Sequence, residues 1–160
     1  MGFKGTKMNI IDVLTKSTIN VDLKAKNKIE VLEELSGPIS EISNVDQKEL
    51  VRVLIEREQL GSTGIGGGIG IPHGKLKHLN KLVLGFGLSR EGVDFDSIDG
   101  RPTHIFFLLV TPENSAGDHL KLLAHIARLL RNEVFKEKLM NVENADDLIR
   151  IIQKEDRNEL

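Results

Sequence analysis

The segment "GSTGIGGGIGIPHGK", residues 61–75, decides how the rest of the chain is arranged. Seven of its fifteen residues are glycine, nearly half of the 15 in the whole chain, so the glycines are concentrated here rather than scattered. Glycine is costly to order and brings no chemistry of its own. Upstream, residues 45–62 hold Leu50, Val53, Leu54 and Leu60 on a helical period, and Gly61 stands where a helix C-cap belongs. Downstream, residues 81–89 and 103–111 are almost continuous apolar runs of strand length, the pattern of strands covered on both faces. The segment therefore joins a helix to a buried sheet and is expected to lead into a central strand.

The flanking chain follows the same alternation. Residues 17–24 alternate Ile19, Val21 and Leu23 with polar neighbours, the period of a half-buried strand. Residues 26–42 place Ile29, Leu32, Leu35 and Ile39 at helical spacing, with Gly37-Pro38 marking either a break or a fresh turn. Residues 94–102 are rich in turn formers. Residues 115–132 form an amphipathic helix with Leu122, Leu123, Ile126, Leu129 and Leu130 on its apolar face, and two shorter helices follow at 133–141 and 144–154. Helices before, after and over a few strands predict an α/β fold: a single domain with a mixed, about five-stranded sheet flanked by helices on both faces. The domain is expected to span 8–155, with 1–7 an N-terminal extension and 156–160 a C-terminal tail.

Composition narrows the chemistry. A net charge of −2 gives no bias toward polyanions, and the absence of Trp and Tyr weakens any case for base stacking, so nucleic acid is not an expected partner. With no cysteine, disulfides, thiolate metal sites and cysteine nucleophiles are excluded together, in keeping with a reducing cytoplasm. No apolar run reaches the ~18 residues of a membrane span, and residues 1–7 lack a signal-peptide core, so no membrane insertion is expected.

The glycines match no phosphate-cradling motif. A Walker loop ending at Gly74-Lys75 would need Ser or Thr at Leu76 and glycine at Ile69. A dinucleotide fingerprint starting at Gly64, Gly66 or Gly68 would need its third glycine at Ile69, Ile71 or His73. The five histidines, at 73, 78, 104, 119 and 125, form no metal-ligand spacing, and neither a metal nor another cofactor is expected. Taken alone, the segment also has a structural reading, a tight reversal followed by a surface histidine. Two features favour chemistry. Pro72 has a fixed φ and no N–H, so it tends to end ladder pairing and to place His73 at a strand exit. Gly74 beside it has no side chain to crowd the imidazole, and ligands of α/β sheets gather at strand ends.

The residues Arg57-Glu58, Thr63-Gly64-Ile65-Gly66 and Ile71-Pro72-His73-Gly74 resemble the active-site segment of enzyme IIA domains of the bacterial phosphotransferase system, mannitol/fructose class, nearest the nitrogen-regulatory branch. "GDHLKLLAHIARLL", residues 117–130, resembles that family's second segment, and the likeness extends over residues 8–155. Gly70 departs from the alanine common at that position, a change of packing more than of chemistry. The resemblance implies that His73 accepts a phosphoryl group, that His119 helps to hold it and that Arg57 completes the site. Thr63, Gly64, Gly66, Pro72 and Gly74 would shape a ledge around the phosphate. It implies an HPr-type phosphocarrier as donor, and as acceptor either a regulated target protein or a IIB domain serving sugar uptake. A third possibility is an interaction module that keeps the fold without the chemistry. Physical chemistry agrees with the first two: neutral imidazole is a nucleophile near pH 7, Arg57 offers a planar fork of donors, and His119 would stand in the first turn of its helix, where anions are favoured.

Overall fold

The computed structural model describes residues 9–158, so the expected extension at 1–7 lies outside the described residues. A 3-10 turn (Ile10–Asp12) leads into β1 (Leu14–Asn20). Helices α1 (Lys28–Ser43) and α2 (Gln47–Gln59) follow, then three short strands, β2 (Gly64–Gly66), β3 (Ile69–Gly70) and β4 (His73–Leu76). Two long strands, β5 (Val83–Val93) and β6 (Thr103–Pro112), precede α3 (Ala116–Leu129), α4 (Glu133–Met140) and α5 (Ala145–Asn158). The sheet is six-stranded and mixed, in the order β1-β5-β6-β3-β2, with β4 also paired to β6. β5 and β6 are antiparallel, while β3 and β4 both run parallel to β6, one after the other along its length. The glycine segment therefore builds one side of the sheet, and β6 is the strand that it leans on.

The apolar runs of β5 and β6 are explained by burial on both faces. Leu84, Phe86, Leu88, Ile105, Phe107 and Leu109 point toward α3–α5, where Leu122, Ile126, Phe135 and Leu148 complete a core. Val83, Phe106, Leu108 and Val110 point the other way, onto Leu32, Leu35, Ile39, Leu50 and Leu54 of α1 and α2. Phe86 packs edge-to-face on Phe107 on one side of the sheet and Phe95 on Phe106 on the other.

Several local features differ from the sequence reading. α1 runs unbroken through Gly37-Pro38. Pro38 lacks the N–H that would serve the Glu34 carbonyl, yet the helix carries on, with Ile39 wholly buried one residue further on and Gln47 Nε2 of α2 donating to the neighbouring Glu33 carbonyl at 3.0 Å. β1 begins earlier than expected, at Leu14, and ends at Asn20. Ile19 and Val21 pack partly buried on the core, as expected, and Thr18 on the other face is buried as well, its Oγ1 donating to the Leu84 carbonyl of the neighbouring strand at 2.8 Å. Leu60 is 85% exposed, not part of the α2 core stripe, because it falls past the last helical turn. Helix α5 continues through the expected domain limit at 155. Asp156 is buried, and its carboxylate accepts from the backbone N–H groups of Ile10 and Ile11 at 3.4 and 3.0 Å.

Two glycines of β5 set the distance between α1 and the sheet. A Cβ on Gly87 would lie 2.7 Å from both Leu23 Cδ1 and Leu35 Cδ2, and one on Gly85 would lie 3.0 Å from Ile39 Cδ1. Gly87→Ala should therefore destabilise the protein by about 1–3 kcal/mol through overpacking. Chemical denaturation measures this, and the effect should be less than additive with Leu35→Ala, since the two changes share one contact. A Gly87→Ala variant as stable as the parent would refute this account of the packing.

Candidate functional site

His73 opens β4 opposite Leu109 and near the carboxyl end of β6, rather than at a strand exit. Ile71-Pro72 separates it from β3, and the Pro72 carbonyl still accepts from Leu109 N at 3.0 Å, so the chain stays on the β6 ladder without a donor of its own at Pro72. Strand alternation turns Gly74 and Leu76 toward α2 and leaves His73 and Lys75 on the α3 side. The imidazole is half-buried. Its Nδ1 lies 2.8 Å from the Ile71 carbonyl. A carbonyl can only accept, so Nδ1 carries the proton and the lone pair of the neutral ring sits on Nε2. Arg57 Nε donates to that Nε2 at 3.3 Å, from the last turn of α2. The same guanidinium holds the Gly61 carbonyl through NH1 at 2.9 Å.

From the opposite side comes His119, early in α3. Its ring meets that of His73 edge-to-face, centroids 5.2 Å apart. His119 Nδ1 is 2.9 Å from Thr111 Oγ1, a hydroxyl with no exposed surface at the end of β6. Ser115 stands at the N-cap of α3 but makes no side-chain cap bond. The structure thus brings Arg57, His73 and His119 together from three different elements. Both imidazoles are held neutral. Burial lowers the His73 pKa below the ordinary 6.5, with Arg57 and Lys75 adding to it against the opposing Ile71 bond and Glu58. Burial, with the nearby His73 and Lys75, pushes His119 down to about 4.

The glycines have other uses than a ledge around the imidazole. Gly67 and Gly68 form the β2–β3 turn with φ of 67° and 81°, both in the left-handed region that a two-residue hairpin requires. That turn is level with His104, whose N–H donates to the Gly68 carbonyl. It is five residues from Leu109 along β6, and so ~16 Å from His73 at ~3.3 Å per residue. Gly66 lies at the same turn, beside Asp99. Gly64 packs on the 94–102 connection, where a Cβ would come 3.0 Å from Ser97 Cα. Gly74 admits α2, since a Cβ there would stand 2.8 Å from Val53 Cγ1. Of the five residues expected to shape a ledge, Thr63 and Pro72 are the two tied by backbone bonds to the immediate surroundings of His73. Pro72 acts as described above, and the Thr63 carbonyl accepts from Ile71 N at 3.0 Å.

The sequence reading gave no role to Glu58, quoted only within the motif, nor to Lys75 and Thr111. Glu58 is buried, and its carboxylate accepts from Thr63 N at 3.1 Å, from Thr63 Oγ1 and from Lys28 Nζ at 2.9 Å. A signal was available: Glu58 continues the i, i+4 series Leu50, Leu54 and so falls on the buried stripe of α2. The other histidines stay apart. His78 is exposed, His104 Nδ1 is tied to the Ser89 carbonyl at 2.9 Å, and His125 is buried with Nε2 3.7 Å from Asp156 Oδ1. Among the described residues, no group of three or more His, Asp or Glu side chains is placed to hold a metal ion, and no helix is long and apolar enough to cross a membrane.

The depressed imidazoles have a thermodynamic signature. Between pH 6.5 and about 4 the unfolded chain binds a proton at His119 that the folded protein refuses. Unfolding free energy should therefore fall as pH drops through that window and level off below it, with His73 contributing in the same direction. His119→Gln should flatten this dependence. A proton NMR titration should place the His119 inflection near 4, and an inflection at 6.5 or above would contradict the burial and charge effects described.

Comparison with known proteins gives this geometry a context. The family model described as "Phosphoenolpyruvate-dependent sugar phosphotransferase system, EIIA 2" matches residues 12–155. A nitrogen regulatory protein of Bradyrhizobium diazoefficiens is 38% identical over 145 residues, covering 91% of this chain and 95% of that one. The fructose-specific EIIABC component of Bacillus subtilis is 33% identical over 151 residues, 94% of this chain but 24% of that protein. The crystal structure of nitrogen regulatory protein IIA-Ntr from Neisseria meningitidis superposes with a TM-score of 0.85 at 34% identity, covering 89% of this chain and 98% of that one. With its fold and nearly its whole length matched in this way, the chain belongs to the EIIA 2 family of the phosphoenolpyruvate-dependent sugar phosphotransferase system.

Proposed function

We propose that this protein is a phosphohistidine carrier that accepts a phosphoryl group on His73 Nε2 from a phosphorylated HPr-type protein and signals through its phosphorylation state. The observation that carries this reading is the Nδ1 bond to the Ile71 carbonyl, which leaves Nε2 as the free lone pair facing Arg57. In the transfer, the Nε2 electron pair forms the new N–P bond, while the pair of the broken N–P bond returns to the donor's ring nitrogen. No base is needed, because Nε2 carries no proton. The phosphorylated ring keeps its Nδ1 proton and becomes cationic, and the Ile71 carbonyl stabilises it. Arg57 and His119 flank the phosphoryl group as donors; with the Thr111 hydroxyl donating to Nδ1 of His119, that ring presents its proton at Nε2. Leu60, 85% exposed beside the Arg57 turn, and Leu120, 65% exposed beside His119, give a partner apolar footing on either side of His73.

The regulatory output rests on the likeness to nitrogen regulatory proteins. Phosphorylation adds roughly two negative charges at neutral pH, so a partner seated on this face with acidic or apolar groups binds the unphosphorylated form and leaves on phosphorylation. The match to a fructose-specific component favours a second reading, in which His73 passes its phosphoryl group to a IIB domain for sugar uptake.

Incubation with phosphoenolpyruvate, enzyme I and each HPr-type donor, followed by mass spectrometry under non-acidic conditions, should place the label on His73. His73→Ala should take none, and Arg57→Ala and His119→Gln should each label ~10²-fold more slowly, as for other lost transition-state donors. Label persisting in His73→Ala would overturn the assignment. For the output, a target protein should be retained from cell extract by His73→Ala and lost by His73→Asp. Transfer from phosphorylated His73 to a IIB domain, with sugar uptake and no such target, would decide for transport.

A further inference from the structure

We propose that Glu58 is a positioning residue for the transfer, holding His73 and Arg57 in register through the turn at residues 61–63; this rests on His73 being the phospho-acceptor. The turn is held at both ends by adjacent residues of α2. Arg57 NH1 donates to the Gly61 carbonyl at 2.9 Å, and the Glu58 carboxylate takes the Thr63 N–H at 3.1 Å and the Thr63 hydroxyl. The consequence passes along the backbone. The Thr63 carbonyl accepts from Ile71 N at 3.0 Å, and the Ile71 carbonyl accepts from His73 Nδ1 at 2.8 Å. A displaced Thr63 therefore moves the carbonyl that selects the His73 tautomer. A displaced Gly61 moves the one bond, other than that to His73, that aims the guanidinium.

The cost of a buried carboxylate is met locally. Lys28, the first residue of α1, places Nζ 2.9 Å from Glu58 Oε1 and 3.2 Å from Asp96 Oδ2, and 4.8 Å from the centre of the Phe95 ring. The Glu58 side chain is 5% exposed and that of Lys28 17%, so the pair is shielded from solvent. The hydrogen bonds of the His73 ring go to Arg57 and Ile71, and Glu58 takes no part in bond making. Its place is to keep the acceptor atom and its flanking donor at a fixed separation, the kind of constraint in which a small displacement costs rate.

The experiment uses Glu58→Gln, which keeps the side-chain volume, and Thr63→Val, which keeps the Thr63 N–H bond and removes only the hydroxyl. Three readouts are taken on the full chain: thermal unfolding, nitrogen-15 NMR of the His73 ring, and labelling by the HPr-type donor. Both variants should unfold cooperatively. In the parent, the His73 nitrogens should show one tautomer, protonated at Nδ1. In Glu58→Gln they should shift toward a mixture, with labelling slowed ~10-fold, and Thr63→Val should move in the same direction by less. A parental His73 spectrum and parental labelling rate in either folded variant would overturn the proposal. If Glu58→Gln fails to fold, Thr63→Val alone decides. If the parent itself takes no label from any donor, the carrier reading fails, while the His73 spectrum still tests whether Glu58 fixes the tautomer.

Discussion

A carbonyl oxygen has no proton to give, and from that restriction most of the site follows. Because the Ile71 carbonyl sits 2.8 Å from His73 Nδ1, the ring has one tautomer and one reactive nitrogen. That nitrogen faces Arg57 rather than the sheet, and the position of the carbonyl is set by backbone. Ile71 hangs from Thr63 on one side, and Pro72 is pinned to Leu109 on the other. The two short strands β3 and β4 exist to lay this dipeptide along β6. Each is too short to be stable alone, and both borrow the register of a ten-residue strand that is buried on both faces.

β6 therefore organises both histidines. Leu109, near its carboxyl end, lies opposite His73, and Thr111, two residues on, bonds His119. Two imidazoles whose rings nearly touch would repel if both were charged. Burial and the neighbouring cations keep them neutral, so the pocket presents lone pairs and N–H donors instead of a pair of imidazolium ions. Fixed positive charge comes from Arg57 and Lys75, which flank the rings from α2 and β4.

Much of this was legible in the chain itself. The apolar runs at 81–89 and 103–111 read as covered strands, and the spacing of Leu122, Ile126 and Leu129 as a helix packed on them, and so they are. What escaped was tertiary. Glu58 enters the sequence reading only as part of a motif, and it is the i, i+4 step from Leu54 that shows it points inward. Gly37-Pro38 reads as a break or a fresh turn, whereas packing of Leu35 and Ile39 on the sheet carries α1 straight through it. The glycines read as one device but serve several: a hairpin, a seat for α2 and contacts with the 94–102 connection. Sequence proximity to His73 did not mean spatial proximity, since a hairpin carries Gly66, Gly67 and Gly68 away from it.

The buried Asp156 closes the molecule on itself, with its carboxylate gripping the amides of Ile10 and Ile11. The first turn and the last helix thus meet beside β1, at the margin of the sheet, with β5 and β6 standing between them and β4. A domain whose entry and exit coincide is a cassette. It can be grafted into a longer polypeptide through a single attachment point, without threading the host chain across the face that carries His73. The same closure makes it a natural candidate for circular permutation, with residues 10 and 156 joined by a short bridge and new ends opened in an exposed connection such as 94–102.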